Sequence, residues 1–118
     1  PRGYSAGVVA SGRLVFISGQ IGWDEHCRFH STDFVIQARQ ALCNILTILA
    51  EADGRPEHIV RLTWYVVDKQ EYLACSKELG SMYRALMGQH YPAMTVVEVT
   101  ALIEEQARVE IEATAVVP

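Results

Sequence analysis

Residues 108–117, RVEIEATAVV, constrain the fold more than any other stretch of this chain. Val109, Ile111, Ala113, Ala115 and Val117 fall on one side of an extended backbone, while Arg108, Glu110, Glu112 and Thr114 fall on the other, since successive strand side chains point to opposite faces. A helix would scatter the same residues around its circumference. The segment is therefore a strand with one buried face. Residues 94–100, MTVVEVT, are also rich in Val and Thr, and a polar connection, residues 103–107, lies between the two runs. That arrangement predicts an antiparallel pair at the centre of a sheet.

In the earlier run Val97 and Val99 face one way, and Val96, Glu98 and Thr100 the other. Three carboxylates, Glu98, Glu110 and Glu112, thus stand inside strands rather than in loops. A solvated sheet face carries glutamates at no cost, cross-strand from Arg61 or Arg108. The functional alternative is a carboxylate at a partly buried cleft that positions a water or shuttles a proton.

From the amino terminus, residues 8–10 and 14–18 are two short strand patterns joined by Ser11-Gly12-Arg13, a hairpin composition. Ser18-Gly19 closes the second, and glycine at a strand end lets a backbone or ligand approach closely. After a polar loop, Asp33, with Ser31 or Thr32 as alternatives, is the expected N-cap of a helix in which Phe34, Ala38, Ala41, Leu42, Ile45, Leu49 and Ala52 recur at helical spacing. Gly54 is expected to supply the left-handed residue that ends it, and Pro56 forbids continuation. Residues 61–67, RLTWYVV, are apolar on both faces, which predicts an interior strand. A second helix is predicted over residues 71–87, with Gly80 inside it as a candidate kink or close packing point and Gly88 closing it.

The resulting order, β-β-α-β-α-β-β, predicts an α+β fold with two helices on one face of a mixed sheet. The other face would carry Trp64 or Tyr65 with Val96 and Val116, an apolar surface that a symmetric oligomer would cover. At 118 residues, half of them hydrophobic, the chain is a single globular domain spanning residues 1–118. The net charge is −4 and the bases are scattered, the reverse of what phosphate neutralisation requires, so no nucleic-acid partner is expected. Cys27, Cys43 and Cys75 form no CxxC pair, and the His26-Cys27-His30 loop lacks a repeatable ligand spacing, so no metal is expected. With no apolar run of membrane-spanning length and no signal segment, the expectation is a soluble cytoplasmic protein with no membrane partner.

The YSAGVVASGRLVFISGQIG opening, the QARQALCNILTILAEADG helix, the strand RLTWYVVD and the ending PAMTVVEVTALIEEQARVEIEATAV together resemble the Rid family, the YjgF-type reactive-intermediate deaminases. The resemblance spans nearly the whole chain. It implies a chorismate-mutase-like subunit assembled as a homotrimer with a cleft between each pair of neighbours. It also implies cofactor-free hydrolysis of small-molecule enamines or imines, released by pyridoxal-phosphate enzymes, to a keto acid and ammonia.

By the same resemblance Tyr4 is the pocket tyrosine, Ser18-Gly19 the strand end whose backbone meets the ligand, and Glu110 the carboxylate that positions the attacking water. Met94 stands where the family normally carries the arginine that grips the substrate carboxylate, and Val96 where it usually carries cysteine. Methionine offers only polarisable apolar surface in place of a bidentate charged clamp. Two alternatives follow: Arg13 or Arg61 replaces the clamp, or a larger, less charged ligand lies on Met94, Val96, Trp23 or Tyr91. A binding trimer that kept the scaffold and lost the chemistry is the competing reading.

Overall fold

The computed structural model describes residues 3–118. Its strands are β1 (Arg13–Ile21), β2 (Ile59–Val66), β3 (Ala93–Glu98) and β4 (Val109–Val117); its helices are α1 (Phe34–Glu51), α2 (Lys69–Ala74) and α3 (Ser76–Met87). The four strands form one mixed sheet in the order β1-β4-β2-β3. β4 runs antiparallel to both β1 and β2, and β2 runs parallel to β3. The α+β class with its helices layered on one sheet face is as expected.

The alternation in β4 survives intact: Val109, Ile111, Ala113, Ala115 and Val117 are all buried, and every residue between them is half-buried. Against this face α1 buries Phe34, Ala38, Ala41, Leu42, Ile45 and Leu49. Asp33 caps α1 as expected, its carboxylate accepting the Ile36 N–H at 3.0 Å. Asp53, not Gly54, holds the left-handed conformation after α1, at φ 61°. Gly54 is required for space instead, because a Cβ there would run into the Leu49 side chain. Gln37 is the one buried polar side chain of the described core, and its hydrogen bonds are complete. It donates to Ser31 O at 3.0 Å and Gln106 O at 2.9 Å, and accepts the Arg108 N–H at 2.7 Å, fastening α1 to the entry of β4.

Three sequence expectations are corrected. First, β3 and β4 are not neighbours. The connection 99–108 is too long for a tight hairpin, and β2, buried at Leu62, Trp64 and Val66, takes the interior position between them. Second, residues 8–10 form no strand, and Val9 is fully exposed. The chain is held instead at the far edge of the sheet, where Ser5 bridges Ala93 and its N–H donates to Pro92 O at 2.9 Å. From there to β1 it must cross three strand spacings, about 14 Å, which the residues of the supposed hairpin are used to span. Third, the second helix breaks at Cys75 rather than at Gly80. Tyr72, on the short α2, presents its ring edge-on to Phe34 and Trp64 at 6.1 and 6.2 Å, while α3 turns Leu79, Tyr83 and Met87 to the core.

The face away from the helices carries Leu14 and Phe16, 62 % and 75 % exposed, beside Tyr65, Val97 and Val116. Trp64 and Val96 are not on it. Both point into the helix layer, Trp64 buried and Val96 packed against the core. No helix among the described residues is long and apolar enough to cross a membrane.

Candidate functional site

The three strand carboxylates have three different fates. Glu98 accepts the Lys69 N–H at 2.8 Å, a structural role at the start of α2. Glu112 accepts the Tyr65 hydroxyl at 2.5 Å. That bond, with partial burial second, pushes the Tyr65 phenol above its usual range. Glu110 has no protein hydrogen-bond donor among the described residues.

Glu110 instead lies over a gap built for it. Between Ile17 and Gln20 the β1–β4 register slips, so that one extra residue of β1 is accommodated at Ser18-Gly19, a β-bulge. A Cβ on Gly19 would stand 2.7 Å from Glu110 Cδ and closer still to one carboxylate oxygen. Only glycine lets the carboxylate rest there, beside a bulge whose Ser18 carbonyl accepts the Gln20 side-chain N–H at 3.1 Å. The strand-end glycine and the in-strand glutamate singled out in the sequence are thus in contact. Beside them a groove of about 410 Å³ includes Phe16, Ser18, Arg61, Thr63, Glu112 and Thr114.

A second, larger cleft of about 900 Å³ lies along the other edge of the sheet, between β3, the amino-terminal segment and α3. Met94 and Val96 line it from β3, on the helix side, opposite Leu62 and Trp64 in the parallel register. Tyr91 lines it just before β3. Tyr4 reaches it because Ser5 is tied to this edge, its hydroxyl donating to Tyr91 O at 2.5 Å. The four residues expected here, Tyr4, Tyr91, Met94 and Val96, are therefore brought together.

Trp23 lines neither cleft. It bridges Phe29 across the loop after β1, with the two rings 5.8 Å apart, and Asn44 donates to its carbonyl at 2.9 Å. The same loop is organised by Asp24. His30 Nε2 lies 2.6 Å from its carboxylate, which also accepts the His26 and Arg28 N–H groups. The His30 contact first, then these backbone bonds, hold the Asp24 carboxyl down at about 2.

Neither proposed replacement clamp lies in the Met94 cleft. Arg13 donates to Ala52 O at 3.0 Å, at the end of α1, and Arg61 lines the other groove. The cations that do line it, Lys77 and Arg84 of α3, were not singled out in the sequence, nor were Trp64, Tyr72 and Tyr83 as cleft residues. One available signal was Gly80, a helix-interior glycine beside which a Cβ would stand 3.2 Å from Arg84 Nη1.

A mixed four-stranded sheet, helices on one face and a bulged strand beside an in-strand glutamate define an α+β subunit of the YjgF, chorismate-mutase-like kind. The sequence model described as Endoribonuclease L-PSP matches residues 1–117, and the chain belongs to this family, the Rid/YjgF family. A RutC family protein of Haemophilus influenzae is 34% identical over 105 residues, covering 89% of this chain and 80% of that one. A Salmonella typhimurium protein named 2-iminobutanoate/2-iminopropanoate deaminase is 33% identical over 108 residues, with the same coverage, 89% and 80%. The crystal structure of YyfB from Yersinia pestis, a Rid family protein of unknown function, matches with a TM-score of 0.83 at 32% identity, covering 98% of this chain and 87% of that one.

Proposed function

We propose that this protein hydrolyses an enamine or imine reactive intermediate to a carbonyl compound and ammonia, in a cleft completed by a neighbouring subunit of a homotrimer. The observation that carries the reading is the Glu110 carboxylate resting on the Gly19 bulge. Water adds to the imine carbon and the C–O bond forms as Glu110 takes the water's proton. Glu110 returns that proton to nitrogen to give a carbinolamine. The carbinolamine hydroxyl proton then passes to the same nitrogen as the C=O bond forms, so the C–N bond breaks and ammonia leaves. An enamine first takes a proton on carbon to become the imine. Backbone groups at Ser18-Gly19 orient the water or polarise the substrate, and Tyr4 donates to the developing charge.

The subunit arrangement is supported by the separation of the parts. Ser18, Gly19 and Glu110 lie on the β1–β4 side of the sheet, while Tyr4, Tyr91, Met94 and Val96 line the β3 edge. Gly19 on β1 stands three strand spacings from β3, about 14 Å, and Glu110 on β4 two, about 10 Å, with Glu110 on the sheet face opposite Met94 and Val96, so one small molecule does not bridge them within a chain. Packing one subunit's β1–β4 region against a neighbour's β3 edge unites them, and it buries Leu14 and Phe16.

Glu110→Gln tests the chemistry: turnover of an imine generated in place by an amino-acid oxidase is abolished while the oligomer persists. Unchanged turnover removes Glu110 from the mechanism. Met94, in place of a charged clamp, favours the second reading, a trimer that binds a small molecule without converting it; ligand-dependent melting without turnover across a broad imine panel would support that reading.

A further inference from the structure

We propose that α3 supplies the anion clamp of the Met94 cleft, through Arg84 and Lys77, and that the ligand is a carboxylate with an aromatic or similarly large apolar body. The proposal rests on reading this cleft as the substrate site. Lys77, Gly80 and Arg84 follow one another at i, i+3 and i+7, which places them on one stripe of the helix. All three line the cleft.

Two exposed cations on a helix ordinarily extend into water. Arg84 does not: its guanidinium folds back along the helix over Gly80, where a Cβ would come within 3.2 Å of Nη1. Glycine is a poor helix residue, and here it leaves a seat for a charged group at the wall of the cleft. Neither Arg84 nor Lys77 has an acidic partner among the described residues, whereas Arg108 is held by Glu71 at 2.9 Å and Arg55 by Glu57 at 3.2 Å. A planar fork beside an ammonium suits a carboxylate, which accepts on both oxygens.

The rest of the lining fixes the ligand's body. Trp64, Tyr72, Tyr83, Tyr91, Met94 and Val96 offer aromatic and thioether surface that packs well against a ring. Trp64 and Tyr83 are more than nine-tenths buried, and the Trp64 indole N–H and the Tyr83 hydroxyl have no hydrogen-bond partner. Burial pushes the Tyr83 phenol upward, so it stays a donor at neutral pH, as the non-titrating indole N–H does. Buried donors of this kind are normally paired, and a ligand carrying an acceptor beside its ring would give them partners after small side-chain shifts.

The test is calorimetric titration of the full chain with 3-phenylpropanoate and with 3-phenylpropanamide, which share a body and differ in charge. The wild type is expected to bind the acid roughly tenfold or more tightly than the amide. Arg84→Gln/Lys77→Gln removes that preference and leaves the amide's affinity unchanged. Arg84→Lys, which keeps the charge and loses the fork, is intermediate. Equal binding of acid and amide, binding of neither, or a preference that survives the double substitution overturns the proposal. The imines of phenylalanine and alanine, assayed for turnover in parallel, separate it from the hydrolase reading. A clamp without turnover removes the hydrolase and keeps the clamp; turnover without an Arg84/Lys77-dependent preference removes the clamp and keeps the hydrolase.

Discussion

Replacing Gly19 with alanine isolates the contact on which the chemical reading depends. The added methyl would stand 2.7 Å from Glu110 Cδ and 2.8 Å from Cγ, against an ordinary carbon–carbon separation of about 3.5–4.0 Å. The carboxylate must therefore retreat by about 1 Å, a misplacement that costs on the order of 100-fold in rate when it moves a catalytic group, or about 2.7 kcal/mol of transition-state stabilisation. Stability should barely change. Gly19 is not among the residues at positive φ, and the half-buried Glu110 side chain has room to swing. The entropy gained by restricting the unfolded chain, about 0.4–1 kcal/mol, offsets the local crowding. The assay is kcat/KM on an imine made in place, alongside the melting temperature, for Gly19→Ala, Glu110→Gln and the double variant. Because both changes act through one carboxylate, the double variant should be no slower than Glu110→Gln alone. Full activity in Gly19→Ala, or losses that multiply in the double variant, would refute the reasoning.

Gln37→Leu removes three hydrogen bonds and leaves Ser31 O, Gln106 O and the Arg108 N–H without their side-chain partner, so denaturant unfolding should show a loss of about 2–4 kcal/mol; a loss below about 1 kcal/mol would mean that other groups or water replace them. Phe16→Arg places a charge on the open sheet face and should convert the proposed trimer to monomer in sedimentation, whereas an oligomer unaltered by the substitution would show that this face is not the interface. Asp24 sits at about 2, below its usual 3.8, chiefly through His30. The sign for a depressed carboxylate is that its contribution to stability is present above about pH 4 and is lost as pH falls through about 2. Resonance titration should find this midpoint near 2 and find it raised in His30→Ala, while a wild-type midpoint near 3.8 would contradict the Asp24–His30 bond.

Elements whose signal is local were legible in the sequence. The two-residue period of β4 and the Asp33 cap of α1 each report on neighbours a few residues away, and both appear as read. Strand order was not legible, because β4 could satisfy its buried face beside β3 or beside β2. The choice was made by β2, buried at Leu62, Trp64 and Val66, and by a connection too long for a hairpin. Residues 8–10 have strand composition but lack a partner, since Ser5 draws the chain to the opposite edge.

The site divides in the same way. Glu110 and Gly19 were visible as oddities, a charge in a strand and a glycine at a strand end, and the fold brings them into contact. Tyr4 and Met94 meet through the long-range Ser5 link. Lys77 and Arg84 read as an ordinary solvated helix face. Only the cleft beneath Gly80 distinguishes them.

The most direct measurement is the decay of 2-imino acids, small and aromatic, generated by an amino-acid oxidase in the presence of the wild-type chain and of Met94→Arg. The wild type is expected to accelerate hydrolysis, more for aromatic than for small imines, and Met94→Arg to shift the preference toward small ones. Failure of the wild type to accelerate any imine, with Met94→Arg active, would contradict this expectation and leave a deaminase scaffold whose chemistry this chain no longer performs.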